Sequence, residues 1–507
     1  MGFLSKMKKE MKELVEKMAG NDDVEPAVGN DDAEEMVGND GRRVFAHYMV
    51  GLTCNQAPEQ WFRDVECAKD CGIDGFALNI GPCDPWTESQ LDLAYSAAEQ
   101  IGDFVLFLSF DMAAGDWAVA QVVALINRYK TSSAQMVVDG DPFVSTFEGP
   151  GWADNWPPVR EETGGIFLIP DWSSLGPYGV GEKLDLIDGA FSWDAWPKAG
   201  SHRMTTTEDV LYKESLRGKK YMMPVSPCFY TNLPQWNKNW YFSSESLWYD
   251  RWLQILDVMP DYVQIITWND YGESSYICDT VPEQIVPGAE KYTVEYPHAA
   301  LRGLLPFFIT AYKAGKSRTT IQPPAQNTAV AWYRTTPHSA GPDGGTQWGH
   351  GGCGSAVDGA RDVVSVVALT KEPCPLTISV GEHCWTFQAG TTGPMSYFEV
   401  PFEPAMTGPV RISLDGITAE GPAIVNECCH GQVRLHTPDR TESLSDILPT
   451  DSVNLVDLQS CRNPDGMMAP WKGKVAVILG HTPSTFIPRL LLSWVTFRHP
   501  HNLPGAW

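Results

Sequence analysis

Two carboxylates three residues apart mark residues 262–277, YVQIITWNDYGESSYI. Asp270 and Glu273 follow an apolar run, Val263, Ile265 and Ile266, that reads as a buried strand, and Trp268, Asn269 and Tyr271 stand beside them. Such a pair has the chemistry to hydrolyse a glycosidic bond: one carboxyl protonates the leaving oxygen, and the other activates water or attacks the sugar. The plainer alternative is that Asp270 caps a following helix and Glu273 is solvated.

The elements that position these acids come from the pattern upstream. From residue 43, eight apolar runs alternate with amphipathic stretches. The runs are VFAHYMVG (44–51), GFALNIG (75–81), VLFLSFD (105–111), MVVDGDPF (136–143), GIFLIPDW (165–172), AFSWDAW (190–196), KYMMPVSPCFY (220–230) and YVQIITWND (262–270). Between them, helices are expected at 58–71, at 88–101 behind a capping box that starts at Thr87, at 117–130 behind Asp116, near 207–216, at 245–258 and at about 298–314. The turns after the fourth and fifth runs are too rich in Pro and Gly to place a helix. Eight such units predict a (β/α)8 TIM barrel over residues 43–315. A doubly wound open sheet is the rival, but no GxGxxG follows the first run.

In a barrel, chemistry forms at the carboxyl ends of the strands. That rule nominates His47, Asn79, Asp111, Asp139, Asp141, Asp171, Trp172, Asp194, Tyr230, Trp268 and Asn269 alongside Asp270 and Glu273, with Trp193 and Trp196 as further aromatics. Acids and aromatics at nearly every strand end describe a polar cleft with stacking faces, suited to a carbohydrate. Metal hydrolysis is the competitor, and it normally wants several histidines; the barrel segment holds His47, His202 and His298, with no HxH after the first strand. A carboxylate-held divalent ion is left to Asp139, Asp141 and Asp171. No GxSxG elbow or P-loop occurs, and the expectation is no cofactor and no metal.

A net charge of −26 over 507 residues argues against nucleic acid. Tryptophan is abundant at 19 residues, which serves either a core or sugar-stacking surfaces. No run of eighteen apolar residues exists, so no transmembrane segment is expected, and a monomer is the expected state. The start MGFLSKMKKEMKELVEKM lacks the apolar core of a secretory signal, and no N-x-Ser/Thr sequon occurs. The expectation is an intracellular protein with mostly reduced cysteines, or a secreted one if the N-terminus is wrongly assigned. Residues 1–42 carry a lysine-rich amphipathic stretch and an acidic near-repeat that begins GNDD, read as a disordered extension. After residue 315, short alternating strands predict a β-sandwich over 316–440. Residues 441–507 read as an irregular tail.

Five ordered blocks carry a resemblance: VFAHYMVG, AKDCGIDGFALNIG, LFLSFDMAAGDW, VSPCFYTNLPQWNKNW and IITWNDYGESSYI. Together they resemble glycoside hydrolase family 71, the fungal α-1,3-glucanase or mutanase family. The resemblance implies a barrel enzyme that hydrolyses the α-1,3-glucan of fungal cell walls with inversion, and it places the catalytic acids at Asp270 and Glu273. Many members are secreted, whereas this chain has an acidic repeat where a signal would stand, and sequence after about Cys428 departs from the family. Because Asp270 ends the strand and Glu273 has the longer reach, Glu273 is expected to be the general acid and Asp270 the base. The alternatives are a glucan-binding protein without turnover and the carboxylate-metal hydrolase.

Overall fold

Along each barrel strand the side chains alternate between two buried faces, which is why parallel strands read as near-continuous apolar runs. One face fills the barrel. Phe45, Ala77, Phe107, Phe143, Ile169, Phe191, Met222 and Tyr262, one from each strand, form a single interior cluster. Within it Phe45 meets Phe107 edge-on at 5.0 Å, and Phe107 meets Phe143 at 4.6 Å. The other face, including Val44, Ala46, Leu78, Leu106 and Val263, joins the larger cluster that also holds the apolar helix residues Trp61, Leu91 and Val122.

The structure is a computed structural model and describes residues 41–294, 296, 298–315, 321–340, 345–352, 354–426, 453–458 and 473–479. The lysine-rich stretch, the acidic repeat, Cys353, Cys428, Cys429, Cys461 and the apolar 488–497 lie outside the described residues. The barrel strands are β1 (Arg43–Met49), β2 (Gly75–Ile80), β3 (Val105–Asp111), β4 (Asp141–Phe147), β5 (Phe167–Asp171), β6 (Gly189–Phe191), β7 (Lys220–Val225) and β8 (Tyr262–Ile265). Every neighbouring pair is parallel, and β8 pairs with β1 to close the ring. This is the expected (β/α)8 barrel.

The helices are α1 (Pro58–Asp70), α2 (Thr87–Ile101), α3 (Val119–Tyr129), α4 (Trp156–Thr163), α5 (Gly176–Gly181), α6 (Thr207–Ser215), α7 (Leu247–Val258) and α8 (Leu305–Lys313). α4 and α5 fill the two turns in which the sequence placed no helix. Their prolines occupy the first turn, where a missing N–H costs nothing. The capping signals misplace two starts. α2 begins at Thr87 itself, α3 begins at Val119, and neither receives a side-chain cap.

The fourth strand is also displaced. Residues 137–138 pair antiparallel with residues 141–142, and Asp139 and Gly140 form the turn between them at φ 53° and 96°. An Asp-Gly pair at positive φ is the hairpin turn that matches strand twist. The barrel strand therefore starts at Asp141, where the sequence reading put the end.

After β7 the chain makes an excursion, a β-hairpin of residues Phe229–Leu233 and Lys238–Phe242. Its second strand pairs in parallel with Gln347–Trp348 from beyond the barrel.

The C-terminal part forms two antiparallel sheets. One contains β9 (Thr328–Arg334), β10 (Val363–Leu369) and β13 (Met395–Pro401); the other contains β11 (Cys374–Val380), β12 (His383–Ala389), β14 (Gly408–Leu414) and β15 (Ile417–Ile424). Ala331, Val364 and Val366 of the first share a core with Leu376, Ile378 and Ile412 of the second. Two further strands, Val453–Leu458 and Gly473–Leu479, extend the first sheet beside β9. They fall within the stretch expected to be irregular, whose Gly- and Pro-rich neighbours hid them.

Buried Glu245 ties the barrel to the sheets. Its carbonyl accepts from Trp332 Nε1 at 2.7 Å and Ser365 Oγ at 2.6 Å, while its carboxylate accepts from Arg361 N–H at 2.9 Å and Tyr241 O–H at 2.8 Å. The described residues include eight free cysteines, and no described helix is long and apolar enough to cross a membrane.

Candidate active site

The inward side chains change character toward the carboxyl end of the barrel. Phe45 gives way to His47, Ala77 to Asn79, Phe107 to Ser109 and Asp111, Ile169 to Asp171, and Tyr262 to Gln264. At this end β8 stops at Ile265 and the chain enters a loop held by its own backbone. Thr267 N–H donates to Ser275 O at 2.8 Å, Trp268 N–H to His47 O at 2.8 Å, and Ile277 and Cys278 N–H both to Trp268 O at 3.0 Å. Asp270 and Glu273 sit on this loop. Asp270 N–H donates to Thr267 Oγ1 at 2.8 Å, and Asp270 Oδ1 accepts from Glu273 N–H at 3.0 Å.

The two acids have different surroundings. Burial, then the charge of Glu273, pushes the Asp270 carboxyl up to about 7, with Lys238 opposing. Glu273 forms an ion pair, Lys238 Nζ to Oε1 at 2.8 Å, and its carbonyl accepts from Tyr230 N–H at 3.0 Å. The Lys238 ammonium is held charged chiefly by Glu273, with lesser help from Asp270 and Asp111. Asp111 therefore faces the same cluster. Burial raises its carboxyl, while the N–H groups of Ala113 and Ala114, at 3.0 Å each, and Asn79 act against that shift. His47 lies 2% exposed, its Nδ1 3.0 Å from Gln264 Nε2, and burial lowers it to about 3, so its ring is neutral at working pH. A neutral imidazole, two acids of unlike setting and an ammonium make a site for proton transfer.

The sequence matches Glycosyl hydrolase family 71 over residues 40–435. The chain belongs to this family.

Among curated relatives, glucan endo-1,3-alpha-glucosidase agn1 of Schizosaccharomyces pombe is 34% identical over 76% of this chain and 91% of that protein. A mutanase of Penicillium rubens is 37% identical over 67% of this chain and 75% of its own length. The ascus wall endo-1,3-alpha-glucanase of Schizosaccharomyces pombe is 34% identical over 54% of this chain and 66% of its own. The chain is thus a glycoside hydrolase of family 71.

Several nominated residues lie elsewhere in the family 71 barrel. Asp139 and Asp141 stand at the opening end of β4, not at its carboxyl end, because the true strand begins after the hairpin turn. Phe147 at the far end of β4 registers with Asp171, so roughly 20 Å of strand separates Asp141 from Asp171. The three cannot form an oxygen cage. Among the described residues, no group of three or more His, Cys, Asp or Glu could hold a metal ion. Trp172 and Trp268 are completely buried and offer no face to a sugar. Trp172 follows the inward Asp171 and so faces outward, whereas Trp268 packs against Phe76.

Tyr230 is 1% exposed and acts as a support under Glu273. Asn269 is 1% exposed and fastens the loop to β1: its Oδ1 accepts from Met49 N–H at 2.8 Å, and its Nδ2 donates to Gln284 Oε1 at 3.0 Å. Asp194 is engaged by Lys198 at 2.6 Å. Asp171 is buried under Ser173, which donates to its Oδ1, and burial pushes it up to about 8. Trp196 packs on Phe229 and Phe242, while half-buried Trp193 lies against His47 and Phe147.

Two groups were missed. Lys238 had a signal, a lone cation inside the aromatic stretch LPQWNKNW. Glu148, which accepts from Ser174 at the rim, was hidden by the misplaced fourth strand. Trp236, 40% exposed at the hairpin tip, is a wet aromatic two residues from Lys238.

Proposed function

We propose that this chain hydrolyses α-1,3-glucosidic bonds of fungal cell-wall glucan by an inverting mechanism, with Asp270 as general acid and Glu273 as general base. Relatives named as an endo-1,3-alpha-glucosidase and a mutanase, aligned across most of the chain, support this substrate. The roles rest on the unlike settings of the two acids: a buried carboxyl raised to about 7 beside one paired with an ammonium. Asp270 delivers its proton to the glycosidic oxygen as the C1–O bond breaks. Glu273 takes a proton from a water whose oxygen bonds to C1 on the opposite face, leaving the anomeric centre inverted. This reverses the assignment drawn from strand position and side-chain reach, because neither takes account of Lys238.

Incubation with α-1,3-glucan tests the reading by reducing-end release, and NMR of the first-formed anomer tests inversion. Binding to the polymer without release of reducing ends would overturn hydrolysis, and a first-formed α-anomer would overturn inversion.

A further inference from the structure

A cation on the hairpin between β7 and α7 faces both acids. Lys238 opens the second strand of the hairpin, and Asn237 before it takes the left-handed conformation at φ 53° that reverses the chain. The first strand of the hairpin is pinned to the acid loop by Tyr230 N–H to Glu273 O at 3.0 Å. Cross-strand pairing then sets Lys238 opposite Leu233 and Tyr241 opposite Tyr230. The Lys238 and Glu273 side chains are 35% and 15% exposed. Half-buried ion pairs contribute little net stability, since desolvation offsets much of the attraction. A fixed charge beside two coupled carboxyls has another effect: it decides which one ionises.

We propose that Lys238 is a positioning residue that divides the pair, holding Glu273 as the carboxylate and so leaving the proton on Asp270. The inference rests on the acid and base roles given above. The charged groups facing Lys238 are Glu273, Asp270 and Asp111. Those facing Asp270 are Glu273 and Lys238. The direct pull of Lys238 on Asp270 works against protonation but ranks behind the push from Glu273. The lysine thus acts on the acid through the base.

The test is the pH dependence of kcat/KM on soluble α-1,3-linked gluco-oligosaccharides. In Lys238→Met, negative charge is harder to hold anywhere in the pair, so both limbs of the profile move to higher pH by about one unit. Activity at the wild-type optimum falls about tenfold, carried by kcat with KM little changed. Lys238→Arg keeps the charge and leaves the limbs in place. A uniform fall across pH in Lys238→Met, with unmoved limbs, would reduce Lys238 to a packing role and overturn the proposal. If Lys238→Met melts early, Lys238→Gln, which retains a donor for Glu273 without charge, carries the same comparison. Turnover surviving in Asp270→Asn or Glu273→Gln would instead overturn the underlying roles. Loss in both of those with unmoved limbs in Lys238→Met overturns the lysine's role alone.

Discussion

Asp270 Oδ1 accepts the backbone N–H of Glu273 at 3.0 Å, so the side chain of one acid sets the backbone of the other. An amide oxygen can make the same bond. Asp270→Asn therefore keeps the loop while removing the proton, and its turnover on α-1,3-glucan is expected to fall by roughly 10²–10⁴-fold with an unchanged circular dichroism spectrum. Glu273→Gln, which leaves that bond untouched, is expected to fall by a similar factor. Reducing-end release measures both.

The pH dependence follows from the same carboxyl. With Asp270 as the proposed general acid, activity should decline as pH rises through about 7. Stability has the same sign. Because the folded value lies above the unfolded one, the native state keeps the proton longer, and the stability Asp270 contributes at pH 4 is lost as pH climbs to about 7. Urea titrations at pH 4, 5.5 and 7 should show a shallower loss in Asp270→Asn than in wild type.

Asn269 is expected to matter for stability and not for substrate binding. Asn269→Ala strips Met49 N–H of its partner at a part-buried point where the loop meets β1. Leaving that group unpaired costs about 1–3 kcal/mol. The midpoint of chemical denaturation should fall accordingly, with KM close to wild type; a large KM rise at unchanged stability would contradict this account.

The ion pair of Arg251 and Asp209 supports the site from behind. Both side chains are essentially unexposed, Arg251 donates to both Asp209 oxygens at 2.6 and 2.7 Å, and it also reaches Pro224 O at 2.9 Å and Asp194 O at 3.3 Å. Arg251→Met leaves the Asp209 carboxylate buried without a cation, with only Tyr221 O–H donating to it at 2.8 Å, a loss of about 3–5 kcal/mol. Pairing it with Asp209→Leu should recover part of that loss, which a double-mutant denaturation cycle reads directly.

Much of the barrel was legible because parallel strands buried on both faces leave long apolar runs, and the helices between them carry periodicity. The fourth strand was misread by length alone. Val137-Val138 and Pro142-Phe143 looked like one run, although the Asp139-Gly140 pair between them is itself a hairpin signal. Asp270 and Glu273 were legible as a pair because they lie three residues apart after an apolar run, although the strand itself ends at Ile265 and both acids sit on the loop beyond it. Their unlike settings were not, since these come from the burial of Asp270 and from residue 238, brought across a hairpin that no local pattern connects to residue 273. The tryptophans misled for a related reason: a strand-end aromatic has the same letters whether it faces in or out, and Trp172 faces out only because Asp171 faces in.

The hairpin that presents Lys238 is not self-supporting within the barrel sequence. Its second strand is flanked by Gln347–Trp348, and Trp348 Nε1 donates to Ser243 Oγ at 3.1 Å just past that strand. Ser243 in turn donates to Gly359 O at 2.6 Å. Residues distal to the eighth β/α unit thus brace the cation that stands over the acids. The scaffold around the Lys238 hairpin is therefore longer than the eight repeats that define the barrel. A chain cut after residue 315 keeps both acids but loses the edge strand that steadies their lysine, so what looks like a dispensable appendage is part of the enzyme's scaffold.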